Sequence, residues 1–197
     1  MRYLLFTLLT ITYLFSFDAS HLDKLKTTKE CVECDLRGAD LSGLDLRKAN
    51  LSSSNLDGAN LSNSNFAKAN FWGVEMDGAK VVNSNFRLAS FEAATISNST
   101  FDGSIFKATN FQSSDIANTT FKNANLWDAL FQEASLEDIN MDGARIAEAQ
   151  FVENDLSSVS IKDTLAFGVY IQDSTLTKEQ CKYLEKEKAI LKNNECK

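Results

Sequence analysis

Apolar residues recur at every fifth position along most of this chain. In the stretch ANLSSSNLDGANLSNSNF, from Ala49 to Phe66, they are Leu51, Leu56, Leu61 and Phe66. Neither regular element accommodates that spacing. A helix turns by about 500° over five residues, so an apolar stripe drifts round its axis. A flat strand alternates faces at every residue, so every second leucine points to water. The pattern holds from Leu36 to Ile161, where all 26 positions spaced by five are Leu, Ile, Val, Met or Phe. Two residues before each such centre, 21 of the 26 positions are Ala, Ser, Thr or Cys; the exceptions are Leu44, Val74, Ile139, Asn154 and Val159. Asp or Asn often precedes the centre, as at Asp35, Asp40, Asn50 and Asn60. Gly, Ser or Asn often follows two residues after it, as at Gly38, Gly43, Ser53 and Asn63.

A chain that turns through a right angle every five residues satisfies all of these rules. Each pentad is a short extended piece followed by a turn, and the Asp, Asn, Gly and Ser positions supply the turn chemistry. Four pentads close a square coil of 20 residues, with the centre and the small residue facing inward. Coils stack at about 4.8 Å, so roughly six and a half of them make a rod roughly 30 Å long. Residues 20 apart become stacked neighbours, and the sequence sorts them by size. Phe71, Phe91, Phe111, Phe131 and Phe151 fall in one column, and Phe66, Phe86 and Phe106 in the adjacent one. A third column, Leu36, Leu56, Met76, Ile96, Ile116, Leu136 and Leu156, has no aromatic ring.

The units GADLSGLDL, KANLSSSNL and GANLSNSNF resemble the A(D/N)Lxx repeat of the pentapeptide-repeat family, and the resemblance covers residues 34 to about 163. It implies an all-β solenoid, a right-handed quadrilateral β-helix of about 6–7 coils, and no particular reaction, because that family is defined by its scaffold. Some members dimerise through a C-terminal element. Others act as acidic mimics of duplex DNA that bind and protect DNA gyrase.

The chain divides into four segments. Residues 1–20 read as a secretory signal: Arg2 is followed by fifteen uncharged residues, Tyr3 to Phe17, an apolar run short for a bilayer span. Ser16, Ala19 and Ser20 are the small residues near the cleavage site; an uncleaved anchor is the competing reading. Residues 21–33 are an N-terminal cap, a short helix or turn that lays Leu22 and Leu25 on the first coil. Residues 34–176 form the β-helix, the pentad rule weakening at Ala166 while Ile171 and Leu176 keep the register. Residues 177–197 are a C-terminal capping helix and tail. Thr177 and Gln180 are spaced as a capping box, and a helix from about Thr177 to Leu191 puts Cys181, Leu184 and Leu191 on one side. Both ends need covers, because an open coil exposes unpaired backbone and an apolar cross-section. A terminal plug is the preferred reading of the last helix, with a homodimerisation helix as the alternative.

The net charge of −7 argues against contacts to nucleic-acid phosphates. Cys31 and Cys34 form a CxxC, yet they fall on the centre and small-residue positions of consecutive pentads. No second CxxC or His pair completes a zinc site, and no βαβ context supports a thioredoxin-like role. In an exported chain the cysteines are expected as disulfides, with Cys31–Cys34 and Cys181–Cys196 stapling one end each; the sequence leaves other pairings open. His21 is the only histidine, and unbroken pentads leave no long loop for a catalytic constellation. Neither catalytic residues nor a cofactor or metal is expected.

Outward residues stack into columns as well. Asp102, Lys122, Asp142 and Lys162 alternate in sign and are expected to pair across rungs. Arg47, Ala67, Arg87, Lys107 and Trp127 form another column, in which an exposed Trp127 lies beside a cation. Trp72, beside Glu92, is exposed on a neighbouring face. Trp72, Arg87, Lys107 and Trp127 are therefore the candidate partner-binding residues. The acids between Trp127 and Asp155 spread over all four sides of the coil and form no single DNA-like face. The function expected is a non-enzymatic exported scaffold, periplasmic or secreted, presenting a rigid surface to a protein or envelope component. Nucleic-acid binding and stable membrane insertion after signal cleavage are not expected. The alternative, if the N-terminal stretch is not a signal, is a cytosolic gyrase-binding DNA mimic.

Overall fold

The computed structural model describes residues 18–197. The expected signal segment lies outside them except for Asp18 to Ser20, which begin the first helix. That helix, α1 (Ala19–Thr28), is capped by the Asp18 side chain accepting from the Ser20 N–H, and it buries Leu22 and Leu25 on the first coil. His21 helps to seat it: its Nδ1 accepts the Asp35 backbone N–H at 3.0 Å.

From Glu30 onward the chain is a β-solenoid with square turns. Its longer strand pieces are β1 (Glu75–Asp77), β2 (Thr95–Ser97), β3 (Asp115–Ala117), β4 (Leu130–Gln132), β5 (Ser135–Glu137), β6 (Gln150–Val152), β7 (Tyr170–Gln172) and β8 (Thr175–Leu176). The other rungs are single parallel bridges, such as Asp35↔Asn55 and Arg145↔Leu165. Every parallel pairing joins residues 20 apart, so four pentads do close one coil.

The turn explains the pentad. The Ala39 N–H donates to the Leu36 carbonyl at 3.0 Å across Arg37 and Gly38, whose φ of +67° suits glycine. From Glu33 to Asp173 every fifth residue except Ser158 has φ between +49° and +70°. Where Asp or Asn precedes the centre it often caps the turn: Asp40 Oδ1 accepts from the Ser42 N–H at 3.0 Å, and Asn70 Oδ1 from the Trp72 N–H at 3.0 Å. Asparagines also ladder between coils, as in Asn70 Nδ2 to Asn50 Oδ1 at 3.2 Å.

Inside, the aromatic columns stack face to face. Phe71–Phe91 centroids are 4.6 Å apart and Phe131–Phe151 4.8 Å, with interplanar angles of 5° and 4°. Adjacent columns meet edge to face, as in Phe66–Phe71 at 67°. Small residues fit beside the rings because their backbone comes close, and serine is tolerated there because the coils satisfy it. Ser84 Oγ donates to the Leu61 carbonyl at 2.7 Å and accepts the Ser64 N–H at 3.3 Å. Asn154, one of the oversized exceptions, is buried with its Nδ2 on the Ala134 carbonyl at 2.8 Å; its Oδ1 has no hydrogen-bond partner among the described residues.

The C-terminal helix differs from the expected span. α2 (Lys178–Lys186) stops five residues short of Leu191. Lys188 is left-handed at φ +61°, and the Ala189 N–H turns back to the Leu184 carbonyl at 2.9 Å. Ala189, Leu191 and Asn193 then fill the small, centre and left-handed positions of a further pentad. Strands β9 (Ile190–Lys192) and β10 (Glu195–Cys196) pair with β7 and β8, still 20 residues on. The helix thus replaces only part of one coil. Its capping box is present, with Gln180 Oε1 accepting the Thr177 N–H at 2.7 Å. Gln180 Nε2 covers the Leu156 and Val159 carbonyls at 2.7 and 2.8 Å, and Tyr183 Oη covers that of Thr164 at 2.7 Å. Cys181 and Leu184 are buried on the last full coil, so the apolar side of α2 is used within the chain.

Candidate interaction face

The prism has four faces, named here for the centre behind each: Phe71, Met76, Phe101 and Phe86. On each rung a face shows three outward residues, the one before the centre and the two after it. The fold needs nothing specific from them beyond turn geometry, so departures from a bland polar surface point to other constraints.

The cysteines are structural staples. Cys31–Cys34 is a disulfide with Cα atoms 5.4 Å apart, and Cys181–Cys196 is one with Cα atoms 6.2 Å apart. The second ties α2 to β10 and locks the end plug. Among the described residues no group of three or more His, Cys, Asp and Glu side chains is placed to hold a metal ion. No helix among them is long and apolar enough to cross a membrane.

The expected charge ladder on the Phe101 face is not made of ion pairs. None of the ion pairs among the described residues joins Asp102, Lys122, Asp142 and Lys162. Asp102 Oδ1 instead accepts the Lys122 backbone N–H at 2.9 Å and the Thr120 hydroxyl at 2.8 Å; Asp142 does the same with Lys162 and Ser160. A carboxylate at the first turn position is drawn down to the next rung's amide, while the lysine head stays in water.

Two of the candidate residues are joined as expected. Lys107 Nζ lies 3.3 Å from the centroid of the Trp127 ring, one rung away on the Phe86 face. Arg87 is the next cation in that column. Trp72 lies on the Phe71 face and is exposed, so it is not part of the same surface.

The wider pattern emerges only when all three outward columns of the Phe86 face are stacked. Eight large apolar side chains are exposed among the described residues, and five of them share this face: Leu88, Ile105, Trp127, Leu165 and Phe167, from 38 % exposed at Trp127 to 64 % at Phe167. The face is also electrically graded. Its N-terminal rungs carry Arg47, Lys48, Lys68, Arg87 and Lys107 against Asp45; its C-terminal rungs carry Asp128 and Glu148 against Arg145. Asp45 is held by Arg47 at 2.7 Å, a hydrogen-bonded pair that brings its carboxyl down to about 2. The opposite, Met76 face is acidic, with Asp35, Asp57, Glu75, Asp77, Asp115, Glu137, Asp138 and Asp155 against Arg37 in the coils, and it carries no large exposed apolar residue. Sequence reasoning had Arg87, Lys107 and Trp127; it missed Leu88, Ile105, Leu165 and Phe167, which the 20-residue period places on the same face.

The family is given by two repeat models. The one for a pentapeptide repeat region matches residues 84–161, and the one for pentapeptide repeats (8 copies) matches residues 30–66, 45–81 and 54–92. Among curated proteins, no sequence matches the chain. Solved structures that resemble it include full-length QnrB1, a plasmid-mediated fluoroquinolone resistance protein, at 13 % identity and a TM-score of 0.44, covering 70 % of this chain and 75 % of that one. HetL, a pentapeptide repeat protein involved in heterocyst differentiation regulation from the cyanobacterium Nostoc sp. strain PCC 7120, is 17 % identical, with a TM-score of 0.34 and 90 % of each chain covered. A pentapeptide repeat protein from the Arabidopsis thaliana thylakoid lumen is 19 % identical, with a TM-score of 0.23, covering 81 % of this chain and 77 % of that one. Scores this low carry no argument about function. The repeat models, the 20-residue register and the inward centres agree on one conclusion: the chain belongs to the pentapeptide-repeat family.

Proposed function

We propose that the chain is a non-enzymatic, exported scaffold that presents its Phe86 face to a protein or envelope partner. One observation carries this reading: most of the large exposed apolar side chains gather on one of four faces, although the fold is satisfied by its inward centres alone. Large apolar side chains concentrated on one exposed face are a feature of interaction sites on soluble proteins. The mechanism is complementarity on a rigid support. The rungs are fixed by a continuous hydrogen-bond ladder, so little ordering entropy is lost when a partner docks. Export is supported by the two disulfides, which persist in oxidising compartments, and by the signal-like N-terminal sequence. The test is capture from an envelope fraction by wild type and Trp127→Ala. The variant loses the partner and keeps the wild-type melting temperature; unchanged capture, or a lowered melting temperature, contradicts the assignment.

A second reading, the cytosolic DNA mimic that binds and protects DNA gyrase, has the acidic Met76 face in its favour. It sits poorly with two disulfides in a reducing cytosol. Protection of supercoiling activity from a quinolone by the full chain would favour it; absence of protection removes it.

A further inference from the structure

We infer that the C-terminal end of the Phe101 face binds a short extended peptide bearing an acidic residue, added to the rod as one more parallel rung beside α2. The site lies apart from the Phe86 face and stands without it. Down the Phe101 face each centre N–H, and the N–H two residues on, donates to carbonyls of the next rung. Phe121 reaches Asn140 at 2.7 Å and Asn123 reaches Asp142 at 3.1 Å; Met141 reaches Ser160 and Gly143 reaches Lys162, both at 2.8 Å. Ile161 and Asp163 hold the same two positions on the last rung, but residues 180 and 182, which the register would set over them, belong to α2. Neither N–H has an acceptor among the described residues.

α2 covers this rung unevenly. Its side chains satisfy the carbonyls at the two ends, Gln180 on Val159 and Tyr183 on Thr164, and leave the donors between them unmet. A cleft of about 240 Å³ opens here, between Ser160, Ile161 and Lys162 on the rung and Thr177, Gln180 and Tyr183 on the cap. It is smaller than the roughly 300–1,000 Å³ pockets that enclose drug-sized ligands. What it offers is a short open sheet edge. Two donors spaced two residues apart call for two carbonyls in the same spacing, which an extended backbone supplies.

The rung also sets the side chains of the added strand. The residue over Ile161 points inward, where Gln180 and Tyr183 leave room for a small group. The residue over Lys162 points outward, at the end of the column Asp102, Lys122, Asp142, Lys162. Asp142 stands one rung over Lys122, and an acid over Lys162 continues that alternation. Opposite charges on neighbouring strands are favourable. Glu179 also lines the cleft and sets a like charge near this acid.

The chain's own sequence provides the probe, because residues 140–143 form the rung that sits over Lys122. The blocked tetrapeptide acetyl-Asn-Ala-Asp-Gly-amide, this stretch with Met141→Ala, is titrated into the ¹⁵N-labelled full protein with disulfides intact, and amide chemical shifts are followed. The Ile161 and Asp163 amides move saturably at millimolar peptide. A peptide with Lys in place of its Asp binds about fivefold weaker, and Lys162→Glu reverses that preference. Glu179→Gln does not weaken binding of the Asp peptide. Lys162→Glu keeps the fold, because Asp142 holds the Lys162 backbone N–H and not its head. Ile161 and Asp163 amides unmoved at millimolar peptide overturn the inference. So does binding indifferent to both charge exchanges, or binding that moves only amides on other faces.

Discussion

Phe111 and Phe131, one coil apart, stack with centroids 4.8 Å apart and planes within 4°. The 20-residue period thus places ring on ring through the middle of the rod, with Phe91 beneath at 5.2 Å. Replacing Phe111 by Ala opens a void that the fixed ladder cannot close and should cost about 3–5 kcal/mol in denaturant unfolding. Lys122→Ala, on the surface and in no ion pair, should cost under about 1 kcal/mol. Equal costs would contradict the inside and outside assignment.

Ala108 occupies a left-handed turn position at φ +53°. The left-handed region costs an L-residue about 1–2 kcal/mol, and glycine gives back about 0.5–1 kcal/mol in backbone entropy. Ala108→Gly should therefore raise the melting temperature slightly. Gly103→Ala should lower it, because the added Cβ would lie 2.6 Å from Asn83 Oδ1 at φ +67°. A thermal melt in which both changes destabilise would count against the turn assignment.

The first coils should be acid-sensitive. Side-chain hydrogen bonds from Arg37 and Arg47 bring Asp35 and Asp45 from an ordinary 3.8 to about 2. A carboxylate held lower in the folded state stabilises it above pH 3.8, and that contribution is lost as pH falls through about 2. Stability measured from pH 5 to pH 2 should fall less steeply in Asp35→Asn/Asp45→Asn than in wild type. Identical slopes would mean the two pairs contribute nothing.

Reduction should release the C-terminal plug first. Cys181–Cys196 has a sequence separation of 15, and a loop of that size is worth about 3 kcal/mol against the unfolded chain. Hydrogen exchange after reduction should speed up in α2, β9 and β10 while the Phe111 coils stay protected. Uniform acceleration along the rod would show that the plug is not a separable unit.

Much of this molecule was legible in its sequence because each inward position obeys a volume constraint that repeats. The square coil and the aromatic columns follow from it, while the Thr177–Gln180 capping box was legible from its spacing and the seats of Leu22 and Leu25 from the need to cover an open coil. The end of α2 was misplaced because Cys181, Leu184 and Leu191 share a helical spacing, while Leu191 also continues the pentad register 20 residues beyond Ile171; the register prevailed through its hydrogen-bond ladder. The Asp102–Lys122 pairing failed for a local reason: a short carboxylate beside a turn reaches backbone N–H groups before it reaches a lysine head. The Phe86 face was only partly seen, since outward residues answer to no packing rule and stand out only when three columns are read together.

The account as a whole rests on an exported, disulfide-stapled rod, and an intact mass of the natively expressed protein, with and without reduction and alkylation, tests that directly. The prediction is a mass short of the first 16 to 20 residues, with four thiols that alkylate only after reduction. Loss that stops before Asp18 would also keep the cap of α1. A full-length mass with four free thiols in the soluble cytosolic fraction would contradict the account.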